Sequence, residues 1–233
     1  MPVFRLDRSL LFPPAHLAEP EGLLAIDGDL SVPRLIRAYS SGIFPWYNED
    51  EPILWWSPDP RAVLYCEEVY VARSMRPVLN AMARGERYEI RIDSAFETVM
   101  DACRNVPRRA QDGTWIGDDM IKAYQNLHRA GHAHSVEVWN LESGELAGGL
   151  YGVAIGSLFC GESMFALERD TSKMALIWLA KRFLDKGLKM IDCQILNPHL
   201  ERMGAREIPR IQYLRELEDC LSRPEPKGLW TLT

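Results

Sequence analysis

Apolar residues recur at helical spacing in six segments of the chain, and this pattern predicts six α-helices. Ser31 and the Ser94/Glu97 pair are predicted to cap two of these helices, and Gly131 is predicted to follow the end of another. The segment 172–186 is apolar nearly all round, so we expect that helix to be buried. The predicted helices span residues 31–42, 74–84, 94–103, 118–130, 172–186 and 209–221.

Short apolar or alternating runs between these helices predict β-strands. The three runs between residues 134 and 160 are separated by turn residues, which indicates an antiparallel meander. Gly148, Gly149, Gly152 and Gly156 lie in or beside them, where glycine marks a bulge or the close approach of a ligand or another backbone. The predicted strands span residues 62–66, 88–92, 134–139, 146–154, 157–160 and 190–195.

The strand within residues 189–197 carries polar groups in an apolar setting. Side chains in a strand alternate between two faces, so Asp192 and Gln194 are predicted to share one face. A buried carboxylate needs a partner, because leaving it unpaired is costly. Two interpretations follow: the pair caps a neighbouring helix or loop, or it belongs to a functional site.

Residues 42–61 are rich in proline and large aromatic residues. Prolines at positions 45, 52, 58 and 60 restrict the backbone, so no regular element is predicted in this segment or in the loop-rich residues 1–30. The aromatic residues form a packed proline–aromatic core or a wall for a flat ligand such as a nucleobase, and both interpretations can hold for different tryptophans. The aromatic residues are Trp46, Tyr47, Trp55 and Trp56.

The length of 233 residues fits a domain of ordinary size with a small appendage. The order of elements favours an α+β protein, and the change in pattern after Arg61 divides it into residues 1–61 and 62–233. Apolar runs are too short to span a membrane, and residues 1–8 lack an apolar signal core. We therefore expect no membrane association, no export and a cytoplasmic location.

The net charge of −6 argues against a general affinity for nucleic acid. Residues 73–109 differ, because eight arginines against five acidic residues give this segment a charge of +3. These arginines are either ordinary solvated charges or a local basic face.

Cysteines and histidines do not form a recognisable metal or redox site. The five cysteines are scattered and lie mostly in apolar runs, as expected of buried free thiols in a reducing compartment. His128, His132 and His134 lack a third ligand at suitable spacing and are predicted to be structural or surface residues. Phosphate-binding and dinucleotide-binding motifs are also missing, so no metal and no cofactor are predicted.

Glu162 follows a predicted strand in apolar company, where a carboxylate requires a cation or hydrogen-bond donors. With Asp192 it would form an acidic pocket suited to an ammonium or guanidinium group. A salt bridge or cap within the protein is the alternative. The apolar residues predicted beside this pocket are Leu150, Met164, Phe165 and Leu179.

Six segments together resemble the leucyl/phenylalanyl-tRNA–protein transferase family, in the order in which that family carries them. The resemblance extends from about residue 19 to residue 210. The segments are 42–46 (GIFPW), 53–63 (ILWWSPDPRAV), 113–116 (GTWI), 131–138 (GHAHSVEV), 159–165 (FCGESMF) and 191–194 (IDCQ).

This resemblance implies a small N-terminal domain joined to a GNAT-like acyltransferase domain with a mixed, mainly antiparallel sheet. It implies transfer of Leu or Phe, and less efficiently Met, from aminoacyl-tRNA to proteins that begin with Arg or Lys, which marks them for N-end rule degradation. The implied partners are Leu-tRNA, Phe-tRNA and such acceptor proteins, with no cofactor, and we expect a monomer.

The resemblance also assigns roles to individual residues. Asp192 and Gln194 match the catalytic pair, and Glu162 matches a glutamate near the acceptor. Leu150 and Leu179 fall where some members carry Met and Phe, which changes the shape of the amino-acid pocket. The predicted substrate-binding set is Trp46 and Trp115 for the terminal adenosine, with Tyr39, Tyr124, Leu150, Met164 and Leu179. The predicted tRNA-binding set is Arg73, Arg76, Arg84 and Arg87.

An aminoacyl ester is already activated, so the reaction needs positioning and a neutral amine more than a covalent enzyme intermediate. We expect Asp192 and Glu162 to hold the basic side chain and amine of the acceptor. Gln194 is expected to orient the amine, because an amide is a poor base.

Three rival functions stay open at this point. The first is an acetyl-CoA-dependent N-acetyltransferase, although residues 166–172 contain no glycine and two acidic residues where a pyrophosphate would bind. The second is a non-catalytic module that binds RNA or protein N-termini. The third is a relative that adds Leu to acidic N-termini, which the acidic pair would repel.

Overall fold

The structure is a computed structural model that describes residues 3–106 and 116–232. The helices in these ranges are α1 (Val32–Tyr39), α2 (Arg76–Ala83), α3 (Phe96–Asn105), α4 (Asp118–Arg129), α5 (Thr171–Asp185), α6 (Pro198–Arg202) and α7 (Arg210–Leu221). The strands are β1 (Phe4–Leu6), β2 (Leu23–Asp27), β3 (Phe44–Pro45), β4 (Leu54–Trp56), β5 (Arg61–Tyr65), β6 (Tyr88–Ile92), β7 (Ala133–Asn140), β8 (Leu146–Ile155), β9 (Leu158–Ala166), β10 (Met190–Gln194) and β11 (Arg206–Ile208).

Seven strands form one large sheet in the order β11-β5-β10-β9-β8-β7-β6. Five neighbouring pairs are antiparallel, and β9 and β10 form the one parallel pair among them. The predicted mixed, mainly antiparallel sheet is therefore confirmed, including the meander from β7 to β9.

The two parallel strands separate soon after they pair. Only Ile191 with Phe159 and Asp192 with Cys160 are in register, whereas β9 continues to Ala166. Gln194, which ends β10, has a left-handed φ of 62° that turns the chain away from the sheet. This separation leaves room for a cavity in an otherwise close-packed layer.

A smaller sheet has the order β1-β2-β4-β3. The prediction of irregular chain over residues 1–30 and 42–61 is wrong for these four short strands. Pro45 is accommodated because β3 lies at the edge of the sheet, where a residue without an N–H group leaves no ladder bond unmade. Trp55 is fully buried and donates to the Asp27 carbonyl, so this tryptophan belongs to a core and not to a ligand wall.

Apolar side chains on the two sides of the large sheet form two cores. The helices α3, α4 and α7 pack on one side together with the small sheet, and α5 packs on the other. Most of α5 is buried, as its apolar pattern predicts. Gly148 allows this close packing, because a Cβ atom there would lie 2.2 Å from Thr171 Oγ1 at the start of α5.

Two local predictions are wrong. The Ser94/Glu97 capping box does not form, because the Ser94 hydroxyl and amide both donate to Glu137 on β7 and Ala95 occupies the N-cap position. The strand predicted over 157–160 extends to Ala166, since pairing with β8 continues past the polar residues at 161–163.

The predicted division into residues 1–61 and 62–233 falls at the start of β5 and stays a prediction. Within the part of the chain that the structure describes, no helix has the length and apolarity needed to cross a bilayer.

Candidate active site

A cavity of about 510 Å³ lies where β9 and β10 separate. Its wall is mostly apolar, with a few polar groups, as is typical of a ligand site. The lining residues are Phe44, Pro45, Trp46, Leu150, Phe159, Gly161, Glu162, Ser163, Met164, Leu176, Ile191, Cys193, Gln194, Ile195, Asn197, His199 and Leu200.

Glu162 on β9 is the acidic residue of this cavity, and three side chains surround its carboxyl group. Tyr39 donates to Oε1 at 2.7 Å, Tyr124 to Oε2 at 3.0 Å and Gln194 Nε2 to Oε1 at 2.7 Å. Burial raises the pKa of Glu162 to about 7 although these donors favour the charged form. The group can therefore take up or release a proton near neutral pH.

Tyr39 and Tyr124 hydrogen-bond to Glu162 from the protein interior. Both are fully buried and neither lines the cavity. The prediction that they contact the substrate directly is therefore wrong. Burial, followed by the nearby charge of Glu162, raises the pKa of both hydroxyls well above the ordinary value. Both tyrosines consequently stay protonated, and their hydroxyls also hydrogen-bond to each other beside Glu162.

Asp192 is buried and does not line the cavity, which corrects the prediction of an acidic pocket shared with Glu162. Its side chain is 0% exposed and accepts two hydrogen bonds from Arg61, at 2.9 and 2.7 Å. Tyr213 donates to the same carboxylate at 2.8 Å. Burial alone would raise the pKa of Asp192, but Arg61 holds it below the ordinary value. An acceptor cation has no access to this carboxylate.

Asp192 instead holds Gln194 in place. The Gln194 amide N–H donates to Asp192 Oδ1 at 2.9 Å, across a shift in strand register between these two residues. This bond stabilises the left-handed backbone of Gln194, a conformation that non-glycine residues adopt at a cost. Gln194 Nε2 donates to Glu162, and the Oε1 atom of the same amide can accept a hydrogen bond from a ligand.

Three of the predicted pocket residues, Trp46, Leu150 and Met164, do line the cavity. Leu179 does not, because it is 1% exposed within the core, and Leu176 one turn earlier lines the cavity instead. Trp115 lies outside the described residues.

Arg61 and Tyr213 support the site without having been predicted. The Arg61 guanidinium lies between the rings of Phe44 and Tyr213, 4.8 and 4.5 Å from their centroids. The one sequence signal for such a buried ion pair is an arginine at the first position of an apolar strand. Its partner is 131 residues away in the chain, so the pair itself has no local signal.

The predicted tRNA-binding arginines divide into two groups. Arg73, Arg76 and Arg84 line one shallow surface depression together with Pro77 and Asn80. Arg84 is also paired with Glu86 at 2.7 Å. Arg87 lies apart from that depression, near Glu168 at 3.6 Å and over the Tyr88 ring.

Histidines near the sheet have structural partners. His134 Nδ1 lies 2.6 Å from Asp93, and His128 Nδ1 lies 2.8 Å from the Ala133 carbonyl oxygen. Cys66, Cys103, Cys160 and Cys193 are buried free thiols, and Cys220 is half-buried. Over the described ranges 3–106 and 116–232, no group of three or more potential ligands could hold a metal ion.

A carboxyl group that titrates near neutrality, an amide beside it and an apolar slot suit the transfer of an acyl group to an amine. An α+β acyltransferase is the class of protein that fits the mixed sheet, which opens between β9 and β10, and this set of groups. The model of the family described as leucyl/phenylalanyl-tRNA protein transferase matches residues 63–218, and the model of its N-terminal domain matches residues 28–59. The chain therefore belongs to the leucyl/phenylalanyl-tRNA–protein transferase family.

Full-length relatives support the same family. The chain is 49% identical over 235 residues to the leucyl/phenylalanyl-tRNA–protein transferase of Oleidesulfovibrio alaskensis, covering 100% of this chain and 93% of the relative. It is 51% identical over 236 residues to the protein of the same name from Anaeromyxobacter sp. strain Fw109-5, covering 100% and 96%. The protein of that name from Syntrophobacter fumaroxidans is 52% identical over 219 residues, covering 94% and 91%.

Two of the solved structures that match show a distant likeness to this chain. A GCN5-related N-acetyltransferase from Sphaerobacter thermophilus has a TM-score of 0.40 and 13% identity, covering 83% of this chain and 60% of that one. L-PGS from Bacillus licheniformis has a TM-score of 0.39 and 14% identity, covering 75% and 54%. Both TM-scores are below 0.5, too low to assign a fold. The fold class therefore rests on the strand order described above.

Proposed function

We propose that this protein transfers a leucyl or phenylalanyl group from tRNA to the α-amine of an acceptor protein, using the cavity between β9 and β10. The observation that carries the proposal is Glu162, whose pKa of about 7 lies close to that of a protein α-amine. The names of the relatives supply the substrates. We expect the protein to act in the cytoplasm, where aminoacyl-tRNA is found, and as a monomer.

The reaction consists of one bond exchange and three proton transfers. The acceptor arrives as an ammonium group and gives a proton to the ionised Glu162, which leaves a neutral amine. The amine nitrogen attacks the ester carbonyl, a C–N bond forms, and the bond to the 3′ oxygen of the tRNA breaks. The second proton moves from the attacking nitrogen to that departing oxygen, and Glu162 afterwards releases its proton to water.

Gln194 orients the amine in this scheme, since its Nε2 is held by Glu162 and its Oε1 accepts from the amine. Asp192 acts through Gln194 as a positioning residue, because it is buried and paired with Arg61. This assignment replaces the expected direct contact between Asp192 and the acceptor.

The apolar part of the cavity is the proposed slot for the aminoacyl side chain. Leu150, Met164 and Leu176 line it, and their flexible side chains suit Leu, Phe or Met. Trp46 is the proposed stacking surface for the terminal adenosine, because its ring is half-buried in the cavity wall. Trp115 remains a predicted second surface outside the described residues.

The depression at α2 is the proposed contact for the tRNA backbone. Arg73 and Arg76 are exposed there and place two positive charges beside Arg84, whose charge is paired with Glu86, on one surface of an acidic protein. Arg87, which lies apart from the depression, is proposed as a secondary contact for the tRNA.

Acceptors that begin with Arg or Lys fit the charge of the site best. Glu162 is the one acidic residue among the cavity-lining residues named above, and it attracts an N-terminus that carries a second positive charge nearby. An acceptor that begins with Asp or Glu meets like charge in a poorly solvated cavity, which disfavours binding.

Transfer of radiolabelled leucine from Leu-tRNA to two peptides, one beginning with Arg and one with Asp, tests this function. The account predicts label on the Arg peptide alone, and loss of that label after treatment with ribonuclease. Label on the Asp peptide would contradict the proposed acceptor specificity. Label on neither would leave a binding protein without transferase activity.

A further inference from the structure

Phe159 on β9 contributes to the apolar wall of the cavity, and its ring is enclosed by other residues. Gly152 on β8 lies against one part of the ring, since a Cβ atom there would be 2.5 Å from Phe159 Cζ. The rings of Phe183 and Trp230 lie 6.1 and 5.4 Å from that of Phe159, centroid to centroid. The position of the Phe159 ring therefore depends on Trp230, which itself lies outside the cavity.

Trp230 is held in place by its own neighbours. Its ring stacks on His134 with centroids 4.2 Å apart and planes 4° from parallel, and His134 is bonded to Asp93. The indole N–H donates to Glu225 at 3.0 Å. Leu229, the preceding residue, is buried in the same core as Phe159 and Phe183.

Arg182 on α5 fixes the backbone of residues 228–232. Its Nε donates to the Leu229 carbonyl at 2.9 Å, and its Nη2 donates to the carbonyls of Gly228 and Thr231 at 2.6 and 2.5 Å. One side chain on a buried helix thus donates hydrogen bonds to three carbonyls of a segment that forms no helix or strand. This geometry holds Trp230 against Phe159.

We propose that residues 228–232 set the depth of the aminoacyl slot through contact of Trp230 with Phe159, and so influence the preference between leucyl and phenylalanyl groups. The proposal rests on the proposed function, and it makes Trp230 a positioning residue for specificity. With Trp230 in place the Phe159 ring cannot retreat, because close-packed interiors leave few voids. Removing the indole opens space behind that ring and deepens the slot, which favours the bulkier phenylalanyl group.

The ratio of kcat/KM for Phe-tRNA to kcat/KM for Leu-tRNA, with one Arg peptide as acceptor, is the test. This ratio is independent of the fraction of active enzyme, so a partly unfolded variant still reports specificity. Trp230→Ala should raise the ratio about threefold to tenfold, less than the roughly 10–200-fold of a methylene directly in an apolar pocket, because Trp230 acts through Phe159. Arg182→Met should raise the same ratio by a smaller factor, because residues 228–232 lose the hydrogen bonds that Arg182 donates to their carbonyls.

Matched controls are Trp139→Ala, at a half-buried tryptophan on β7 that does not line the cavity, and Lys181→Met, at an exposed lysine beside Arg182. Both should keep the wild-type ratio. A Trp230→Ala ratio that falls, or stays within about twofold of wild type, overturns the proposal while the transferase function stands. No transfer by the wild-type protein overturns the proposed function and this proposal together.

Discussion

At the scale of single residues, Glu162 changes charge near neutral pH because burial raises its pKa to about 7. In the unfolded chain a glutamate titrates near 4.3. Between those pH values the folded protein binds the extra proton, so the free energy of unfolding falls as the pH rises from about 4.5 to 7.

Glu162→Gln removes this dependence, so the variant should be more stable relative to wild type at pH 8 than at pH 5. The full effect is on the order of 1.4 kcal/mol per pKa unit, and solvent in the cavity reduces it. Urea unfolding at both pH values measures it, with Glu142→Gln in the exposed turn after β7 as the control. An equal difference between variant and wild type at the two pH values would contradict the raised pKa.

The buried pair of Arg61 and Asp192 makes a second prediction at this scale. Asp192→Ala should lower the free energy of unfolding by about 3–5 kcal/mol, because it leaves the Arg61 charge buried without its partner. Loss of transfer by this variant alone therefore does not separate positioning from stability.

The double variant Arg61→Met/Asp192→Leu separates stability from positioning. It should recover most of the stability, since apolar groups replace both charges. Transfer should stay low in single and double variants, because the Gln194 amide loses its acceptor in both. Normal transfer by the double variant, measured after unfolding curves confirm its stability, would remove Asp192 from the account.

At the scale of elements, the long helices follow from sequence because their apolar periodicity is local. Residues 172–186 and 209–221 are predicted within one residue or so of α5 and α7. The strands β1 to β4 are not predicted, because prolines and glycines flank or interrupt their short runs and only pairing with another strand stabilises them. The predicted cap at Ser94 fails for a similar reason, since Glu137 on another element provides the acceptor.

The packing of α5 on β8 makes a prediction for Gly148. Gly148→Ala should lower the free energy of unfolding by about 1–3 kcal/mol, because its Cβ atom would lie 2.2 Å from Thr171 Oγ1 and 2.6 Å from Thr171 Cβ. Gly161→Ala on β9 is the matched control, since its nearest neighbour would be the Asp192 carbonyl oxygen at an ordinary 3.7 Å. Chemical denaturation of both variants measures the difference. Equal stability of the two would contradict the close approach of α5 and β8.

At the scale of the whole molecule, the sequence predicts the family and five of the cavity-lining residues, but not how they are arranged. Glu162, Gln194, Trp46 and Leu150 share a cavity because β9 and β10 separate. Asp192 is only two residues from Gln194 and yet faces a different environment, because a register shift falls between them. Such a shift depends on the partner strand and leaves no periodic signal in the chain.

Charge distribution over the molecule makes a further prediction. Arg76→Gln should weaken tRNA binding and reduce the slope of log K against log salt by about 0.7–0.9, the value for one lost phosphate contact. Arg223→Gln, at an arginine paired with Asp219 at the end of α7, is the control. Binding of tRNA measured at several salt concentrations gives both slopes. An unchanged slope for Arg76→Gln would place the tRNA elsewhere.

Glu162 is proposed to accept the proton of the acceptor amine. Leucine transfer from Leu-tRNA to an Arg peptide between pH 5.5 and 8.5, by wild type and by Glu162→Gln, tests this role most directly. Wild-type kcat/KM should rise with a limb near pH 7, as Glu162 ionises, and fall above about pH 8, as the acceptor loses the ammonium form in which it binds. The variant should be slower by about 10²–10⁴-fold and should instead rise through about pH 8, because it depends on peptide amine that is already neutral. A variant that transfers within tenfold of wild type with the same pH profile would contradict the claim.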